Sequence, residues 1–156
     1  MFPLVSRTPC PQCLHTLKHI FACTNCICKY CLFYSATGNL FPHGFVDADL
    51  ASDASDQKSI SSYTFLVASC TFSWSSKKQQ SVTSSTMEAE YHAVHMGSLN
   101  VLWIRQLFKQ INIPFTTPLP LYCNNQAVIA TVKAKQAHQH SKHINIKFHL
   151  IHEHIE

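Results

Sequence analysis

Three short β-type runs followed by one long helix, all within residues 41–113, limit the folds open to this chain more than any other feature. The first run, FVDADL, alternates, so Asp47 and Asp49 lie on one side and Val46 and Ala48 on the other. The next two runs, YTFLVA and CTFSW, are separated only by Ser69 and predict an antiparallel pair. This order predicts a mixed-sheet α/β architecture, with the first three strands antiparallel and helices packed on the sheet.

The long helix has clear limits in the sequence SSTMEAEYHAVHMGSLNVLWIRQLFKQINI. Ser85 and Glu88 have capping-box spacing, with serine at the N-cap and glutamate three positions on. Pro114 marks the downstream limit. The predicted apolar positions of this helix include Tyr91, Val94, Leu102 and Phe108, and Trp74 and Trp103 are predicted to be core residues.

The rest of the chain predicts a fourth strand and two further helices. PLPLYCNNQAVIATV indicates a buried strand over residues 119–123 that enters a short helix at about Gln126, and KAKQAHQHSKH indicates a basic, histidine-rich loop. The last segment, INIKFHLIHEHIE, has helical spacing on both of its sides. Its apolar stripe consists of Ile144, Phe148, Ile151 and Ile155, and its polar stripe of Asn145, His149, His152 and Glu156.

Six of the eight cysteines lie within residues 10–31. The pairs Cys10/Cys13 and Cys23/Cys26 have the Cys-x2-Cys spacing of zinc ligands, although the nine residues between the pairs are fewer than is usual. The alternative is that these are ordinary cysteines in a reducing compartment. In the same region, residues 13–22 predict a short amphipathic helix and residues 30–34 a strand.

Composition excludes several classes of protein. A hydrophobic share of 46% argues against wholesale disorder, and no apolar run approaches the ~18 residues of a membrane span. The start of the chain has no apolar stretch of the kind found in secretory signals, so we expect an intracellular protein. The net charge of +4 weakly favours polyanionic partners.

Two carboxylates on one side of a strand are unusual, because a charge that faces a core is expensive unless it binds something. Two further acids, Glu88 and Glu90, lie in the first turns of the long helix that follows. Glu88 already has a structural role available as the third residue of the capping box. The residues alone leave both glutamates open as a second functional acid, and Glu90 is the one without a structural role in the capping box.

With these features, residues from about 44 to 154 resemble the ribonuclease H domain of copia-type retrotransposon Pol polyproteins. The similar stretches are FVDADLASDASDQKSISSYTF, SWSSKKQQSVTSSTMEAEYHAV, LYCNNQAVIA and HQHSKHINIKFHLIHE, in the family's order and spacing. The preceding stretch, LHTLKHIFACTNCICKYCLFYSATGN, resembles the connection between reverse transcriptase and ribonuclease H. The resemblance implies a connection remnant over residues 1–40 and a ribonuclease H-like domain over residues 41–156.

The resemblance also implies an activity, which is hydrolysis of the RNA strand of RNA–DNA hybrids by two Mg²⁺ ions ~3.5–4 Å apart. The family holds these ions with four acids. Asp47 and Glu90 retain two of the acids, whereas Asn124 and Asn145 stand where the family has aspartate. Half of the carboxylate charge is therefore missing, and we predict no ribonuclease activity or a very weak one. Mg²⁺ binding is expected to be weakened or lost.

Binding without cleavage is a second possibility. Lys77, Lys78, Lys142 and His143 could contact phosphates of an RNA–DNA hybrid or another nucleic acid, in a salt-sensitive and largely sequence-independent way. The resemblance places His138 near the active site, where it could help to position or release the product. Two alternatives to a ribonuclease stay open, which are a noncatalytic nucleic-acid-binding protein and an N-terminal zinc-binding module on an inert scaffold.

Overall fold

The structure is a computed structural model, and it describes residues 11–52, 56–113 and 116–134. The chain divides into two compact units, residues 1–33 and residues 34–156. Several predictions concern residues outside the described ranges: the site residues His138, Asn145, Lys142 and His143, and the last helix.

In the first unit, residues 11–33 are described and include the helix α1 (Pro11–Ile27), which extends beyond the predicted 13–22 on both sides. None of its residues is buried, and its apolar positions Leu14, Leu17 and Phe21 are all exposed. The strand predicted over residues 30–34 is wrong, because this stretch has no regular secondary structure. A strand needs a neighbour to complete its hydrogen-bond ladder, and the described residues offer none beside this run.

The second unit is built on a four-stranded mixed sheet in the order β3-β2-β1-β4. β1 pairs antiparallel with β2 and parallel with β4, and β2 pairs antiparallel with β3. The predicted α/β class, with three antiparallel strands and helices packed on the sheet, is therefore confirmed. The strands are β1 (His43–Asp49), β2 (Ile60–Val67), β3 (Cys70–Lys78) and β4 (Leu121–Cys123).

The β2–β3 hairpin closes through a two-residue turn, Ala68 and Ser69, with φ angles of 51° and 63°. Positive φ at both central residues defines the turn that suits the twist of a hairpin, although neither residue is one of the types that favour it. Lys77 and Lys78 form the end of β3, where they pair with Ser61 and Ile60, because the ladder continues to the start of β2.

The long helix is α2 (Thr86–Gln110), and it begins as predicted. The Ser85 side chain accepts a hydrogen bond from the Glu88 backbone N–H at 3.2 Å. The Glu88 carboxylate reaches one residue further back than the capping box requires, to the N–H and hydroxyl of Ser84 at 2.8 and 3.0 Å. A shorter helix, α3 (Gln126–Ala134), follows β4 and begins at the predicted residue.

α2 packs closely on the sheet through small residues at successive turns: Ala89, Ala93 and Gly97. A Cβ on Gly97 would lie 2.5 Å from Cγ1 of Val46, which is far inside van der Waals contact. Val46 belongs to the main core cluster, in which residues of β1, α2 and α3 come together. The absence of a side chain at Gly97 therefore allows the short distance between α2 and β1.

The sheet face opposite α2 carries exposed aromatic side chains. Phe45 and Tyr122 stack at a ring-centroid distance of 5.3 Å, and Trp74 is 65% exposed. The prediction that Trp74 and Trp103 are core residues is wrong, because Trp74 points from the open face and Trp103 is 52% exposed on α2. The fourth strand is likewise shorter than predicted and not wholly buried, since Tyr122 points to the open face.

The close contact between α2 and β1 gives a stability prediction. Gly97→Ala should lower the free energy of unfolding by about 1–2 kcal/mol, because the added methyl group meets the branched Val46 side chain and overpacking outweighs the gain in helix propensity. Urea unfolding measures the change. Ser98→Ala, one position along the same helix, is the matched control and should change stability by less than about 0.5 kcal/mol. A stabilised Gly97→Ala variant would contradict the close contact.

Candidate functional site

The carboxyl ends of two neighbouring parallel strands bring the predicted strand residues together. Val46 and Cys123 are the last paired residues of β1 and β4. Asp47 and Asn124 are the next residue of each strand, and both are exposed. Because adjacent strands lie ~4.8 Å apart, the register places Asp47 and Asn124 side by side at the point where β4 ends.

Glu90 reaches the same end of β1 from the opposite side, in the second turn of α2. Its side chain is buried, at 7% exposure, and its carboxylate is hydrogen-bonded by the backbone of Ala48. The other carboxylate oxygen, Oε2, is buried and has no hydrogen-bond partner in the described part of the chain. A buried carboxylate oxygen without a partner is costly, so this atom is poised to take a proton or a cation.

The carboxylates of Asp47 and Glu90 lie near enough to interact electrostatically. Burial raises the pKa of Glu90, and repulsion from the Asp47 carboxylate raises it further. The hydrogen bond from Ala48 acts in the opposite direction and offsets part of this rise. Two like charges thus share one end of β1, which is an arrangement that favours a bound cation or a shared proton.

Cys123 completes the cluster and was not among the residues predicted from the sequence. Its sulfur accepts a hydrogen bond from the Asn125 backbone N–H at 3.4 Å. Burial raises the pKa of the Cys123 thiol, the hydrogen bond from Asn125 offsets part of this rise, and the charges of Glu90 and Asp47 add smaller increases. The only signal in the sequence was its place in the strand, directly before Asn124.

Glu88 and Glu90 are separated by the structure as the sequence suggested. The Glu88 carboxylate is held by Ser84 outside the first turn of the helix. Asn125 is similarly used, because its side-chain oxygen accepts hydrogen bonds from the N–H groups of Ala127 and Val128 and so caps α3. Of the adjacent residues Asn124 and Asn125, Asn125 is thus engaged as a helix cap, and Asn124 is the one that directly follows the paired residue Cys123.

A buried polar network fixes the start of α2 to the sheet. The Gln79 amide donates to the Ser61 hydroxyl at 2.7 Å and to the Ala89 carbonyl at 3.0 Å. Beside it, the hydroxyls of Ser59 and Thr83 are 2.7 Å apart. Ala89 immediately precedes Glu90, so this network sets the position of the buried carboxylate. Sequence reasoning missed it because the residues are short, polar and scattered.

Lys77 and Lys78, the two described lysines that were predicted to bind phosphate, differ in their contacts within the chain. Lys77 is exposed at the end of β3. Lys78 forms an ion pair with Asp56 at 2.9 Å, and Asp56 also contacts Lys58 at 3.7 Å. An ion pair at the surface is weak, yet it directs Lys78 toward an acid of its own chain. The structure thus favours Lys77 as the residue of the two that is available to a ligand.

The described residues do not fit a pair of magnesium ions. Within residues 11–52, 56–113 and 116–134, no group of three or more His, Cys, Asp or Glu side chains is arranged to hold a metal ion. Asp47 and Glu90 supply two carboxylates, and the neighbouring side chains of Asn124 and Cys123 supply an amide and a thiol. Mg²⁺ prefers charged oxygen ligands, and it gains little from an amide and less from a thiol.

Helix α1 holds apart two cysteines of the predicted zinc site, one from each Cys-x2-Cys pair. Cys13 and Cys23 both lie on α1, and ten residues of α-helix hold them ~15 Å apart. Zinc ligands lie ~2.3 Å from the metal, so these two cannot share one ion while α1 is intact. Cys10 lies outside the described residues. A membrane-spanning helix is absent from the described ranges.

Two of the known proteins similar to this chain are retrovirus-related Pol polyproteins from plant transposons. The chain is 33% identical over 143 residues to the retrovirus-related Pol polyprotein from transposon RE1 of Arabidopsis thaliana, which covers 92% of this chain and 10% of the polyprotein. It is 32% identical over 113 residues to the corresponding polyprotein from transposon TNT 1-94 of Nicotiana tabacum, covering 72% of this chain and 8% of that protein. The chain thus spans about a tenth of the length of these relatives.

A third relative is close to this chain in length. Secreted RxLR effector protein 161 of Plasmopara viticola is 32% identical over 96 residues, which is 62% of this chain and 68% of that protein. No protein-family model matches the chain.

The raised pKa of Glu90 predicts a pH dependence of stability. A carboxyl group with a higher pKa in the folded chain holds its proton more tightly when folded, so its ionisation disfavours folding. Stability from this group is therefore full below the unfolded pKa of about 4.5 and is lost as the pH rises through the folded value. Glu90→Gln should be at least as stable as wild type at pH 7 and lose that advantage toward pH 4.5.

Urea unfolding between pH 4 and 8, in the presence of a metal chelator, tests this. Asp47→Asn is the second variant, and it should reduce the pH dependence of the wild type because it removes the repulsion. A difference between Glu90→Gln and wild type that stays constant across the pH range would show that Glu90 is not perturbed.

Proposed function

We propose that this chain, which belongs to the same family as segments of retrovirus-related Pol polyproteins from transposons, is a ribonuclease H-like domain that binds RNA–DNA hybrids and cleaves them weakly or not at all. Three lines support the proposal. The relatives place the chain among retroelement proteins, the sheet order agrees with a ribonuclease H-like fold, and the predicted strand and helix acids meet at one end of β1.

The observation that carries the proposal is the position of Asn124. It follows Cys123, whose registered partner is Val46, so it adjoins Asp47 at the end of the parallel strand pair. Glu90 reaches the same place from α2. The register and the Asp47–Glu90 repulsion support a shared site for the three residues, in which the resemblance implies a carboxylate where this chain has the amide of Asn124.

The missing charge matters more than the nearly unchanged shape. At an effective dielectric constant of ~20, two unit charges ~4 Å apart attract by up to ~4 kcal/mol, and a divalent ion doubles this. An asparagine oxygen remains a possible ligand but carries only a partial charge. Asn145, outside the described residues, would remove a second charge. The loss of two such contributions is enough to empty at least one of two metal positions.

Other described acids cannot replace the missing pair. The carboxylate of Glu88 is held by Ser84, and that of Asp56 by two lysines. Asp49 lies two residues beyond Asp47 on the same side of β1, roughly 7 Å along the strand. Its side chain is exposed. Strong two-metal cleavage would therefore need a ligand that this part of the chain does not supply.

Binding of a nucleic acid does not require the pair of metal ions that cleavage requires. Contacts to phosphates depend on exposed cations around the substrate rather than on a metal pair. The net charge of +4 and the exposed Lys77 are suited to this, and Lys142 and His143 would add to it. The proposal is therefore that the domain recognises a nucleic-acid duplex while its capacity for hydrolysis is impaired.

Cleavage of a labelled RNA–DNA hybrid in Mg²⁺ or Mn²⁺ tests the impaired site. The wild type should show little or no cleavage, and the double variant Asn124→Asp/Asn145→Asp should exceed it by at least about tenfold, because both carboxylate charges are restored. The triple variant that adds Asp47→Asn is the control and should lose the gained activity. Robust wild-type turnover that Asp47→Asn abolishes would refute the proposal.

Hybrid binding is tested separately, by fluorescence anisotropy without divalent ions at several salt concentrations. Lys77→Ala should weaken binding by a similar factor for unrelated sequences and reduce the salt slope by about one phosphate contact. Lys58→Ala is the matched control, because Lys58 is already directed to Asp56. Binding that is independent of salt, or equal losses in the two variants, would show that Lys77 is not a phosphate contact.

A further inference from the structure

His19 and Cys23 are in direct contact on the surface of α1. The Cys23 sulfur lies 3.6 Å from Nδ1 of the His19 ring, and both side chains are exposed. The two residues are four positions apart, so their side chains lie one above the other on the same side of the helix. The pair belongs to the first unit and is separate from the cluster around Asp47 in the second unit.

The distance between these two atoms is the one expected for two ligands of a single zinc ion. In a zinc site, an imidazole nitrogen lies ~2.0–2.1 Å and a thiolate sulfur ~2.3 Å from the metal. At a tetrahedral angle of ~109°, these bond lengths place the nitrogen and the sulfur ~3.6 Å apart. The separation of Nδ1 and Sγ in this chain is 3.6 Å. A zinc ion can therefore bind both atoms with little change in the distance between them.

We propose that His19 and Cys23 chelate a thiophilic divalent cation, and that Zn²⁺ is the ion that suits them. Imidazole and thiolate are zinc ligands, whereas magnesium prefers carboxylate oxygens. A separation of four residues on a helix also places the two histidines of the His-Glu-x-x-His motif on one zinc ion. This site differs from the cysteine pairs that the sequence predicts, because it uses one cysteine and a histidine that those pairs do not include.

Binding would exchange the thiol proton of Cys23 for the metal. The proton passes to water as the sulfur–zinc bond forms, and the ion gives up two of its water ligands. His19 binds through Nδ1 in the tautomer that carries its proton on Nε2. The protein then fills two of the four tetrahedral positions, and the other two stay open to water or to an external ligand. No electron is transferred in this step.

The charges of α1 do not oppose a bound dication. Lys18 is the only Lys, Arg, Asp or Glu residue of this helix. At ~100° per residue, its side chain leaves the helix ~100° from that of His19 and ~140° from that of Cys23. The last turn, which follows Cys23 directly, contains no basic residue. The negative end of the helix dipole lies at this turn and adds a weak attraction for the ion.

The apolar side of α1 is separate from the proposed site. Leu17 and Phe21 are exposed, and they leave the helix ~120–160° from His19 and Cys23. An apolar partner on that side of the helix would therefore leave the imidazole and the thiol open to solvent. Metal binding does not depend on whether such a partner is present.

Protection of Cys23 from alkylation in the full chain tests the proposal, with Zn²⁺ alone as the probe. Labelling by N-ethylmaleimide is resolved for each cysteine by peptide mass spectrometry. Saturating Zn²⁺ should slow the labelling of Cys23 by at least about fivefold relative to a sample that contains a chelator. Cys28 is the internal reference, because it is exposed and its thiol donates to the Asn25 carbonyl at 3.0 Å. Its rate should change by less than about twofold.

Four variants identify the second ligand. His19→Ala should abolish the protection, and Lys18→His/His19→Lys should abolish it as well, because the exchange keeps the composition but moves the imidazole ~100° around the helix. His15→Ala, one turn earlier on the same helix, is the matched control and should leave the protection intact. His19→Cys should retain the protection, because a thiolate at this position is also a zinc ligand. This rescue separates loss of a ligand from loss of the helix.

Four results would overturn the proposal. These are no protection of Cys23 in the wild type, full protection in His19→Ala or in the exchange variant, equal losses in His15→Ala and His19→Ala, and failure of His19→Cys to retain protection. Protection that requires Cys26 but not His19 would show a site made of cysteines alone, which also overturns it. No nucleic acid enters this experiment, so its failure is independent of whether the second unit binds RNA–DNA hybrids.

Discussion

The close contact between α2 and β1 is the constraint on which the rest of the second unit depends. Gly97 has no side chain, and the small residues Ala93 and Ala89 lie on the same face of α2 one and two turns earlier. The helix can therefore lie directly against Val46. Glu90, two turns before Gly97, is carried by that contact to the end of β1, where an ordinary helix–sheet distance would leave its carboxylate short of Ala48.

At this site the side chains keep their positions, although residue 124 carries no carboxylate charge. The fold still places Asp47, Glu90 and Asn124 together, because backbone register, helix packing and the Gln79 network position them and none of these depends on the charge of residue 124. An aspartate-to-asparagine change is therefore nearly silent for folding. Its effect falls on the cation that the carboxylates would hold. Under the proposed function, such a domain keeps its stability and its surface while its capacity for hydrolysis is impaired.

The sequence predicted those parts of the structure that follow from strong local patterns. Alternation in FVDADL gave the two sides of β1, and the capping spacing gave the start of α2 and the choice between Glu88 and Glu90. The errors arose where tertiary context decides. Trp74 was predicted to be buried, but its sheet face is open, and residues 30–34 have the composition of a strand but no partner. No sequence pattern predicted the roles of Cys123 and Gln79, because both roles depend on contacts with residues distant in sequence.

The turn at Ala68 and Ser69 has a consequence for the order in which the domain assembles. Both residues hold positive φ angles, each at a cost of ~1–2 kcal/mol for a residue other than glycine, so the hairpin gains nothing from its own loop. A hairpin of this kind is a poor nucleus. We expect the β2–β3 ladder to form late, after α2 has condensed with β1 and supplied an apolar surface for Phe65. The transition state for folding would then contain the helix and the central strand, with the outer hairpin still open.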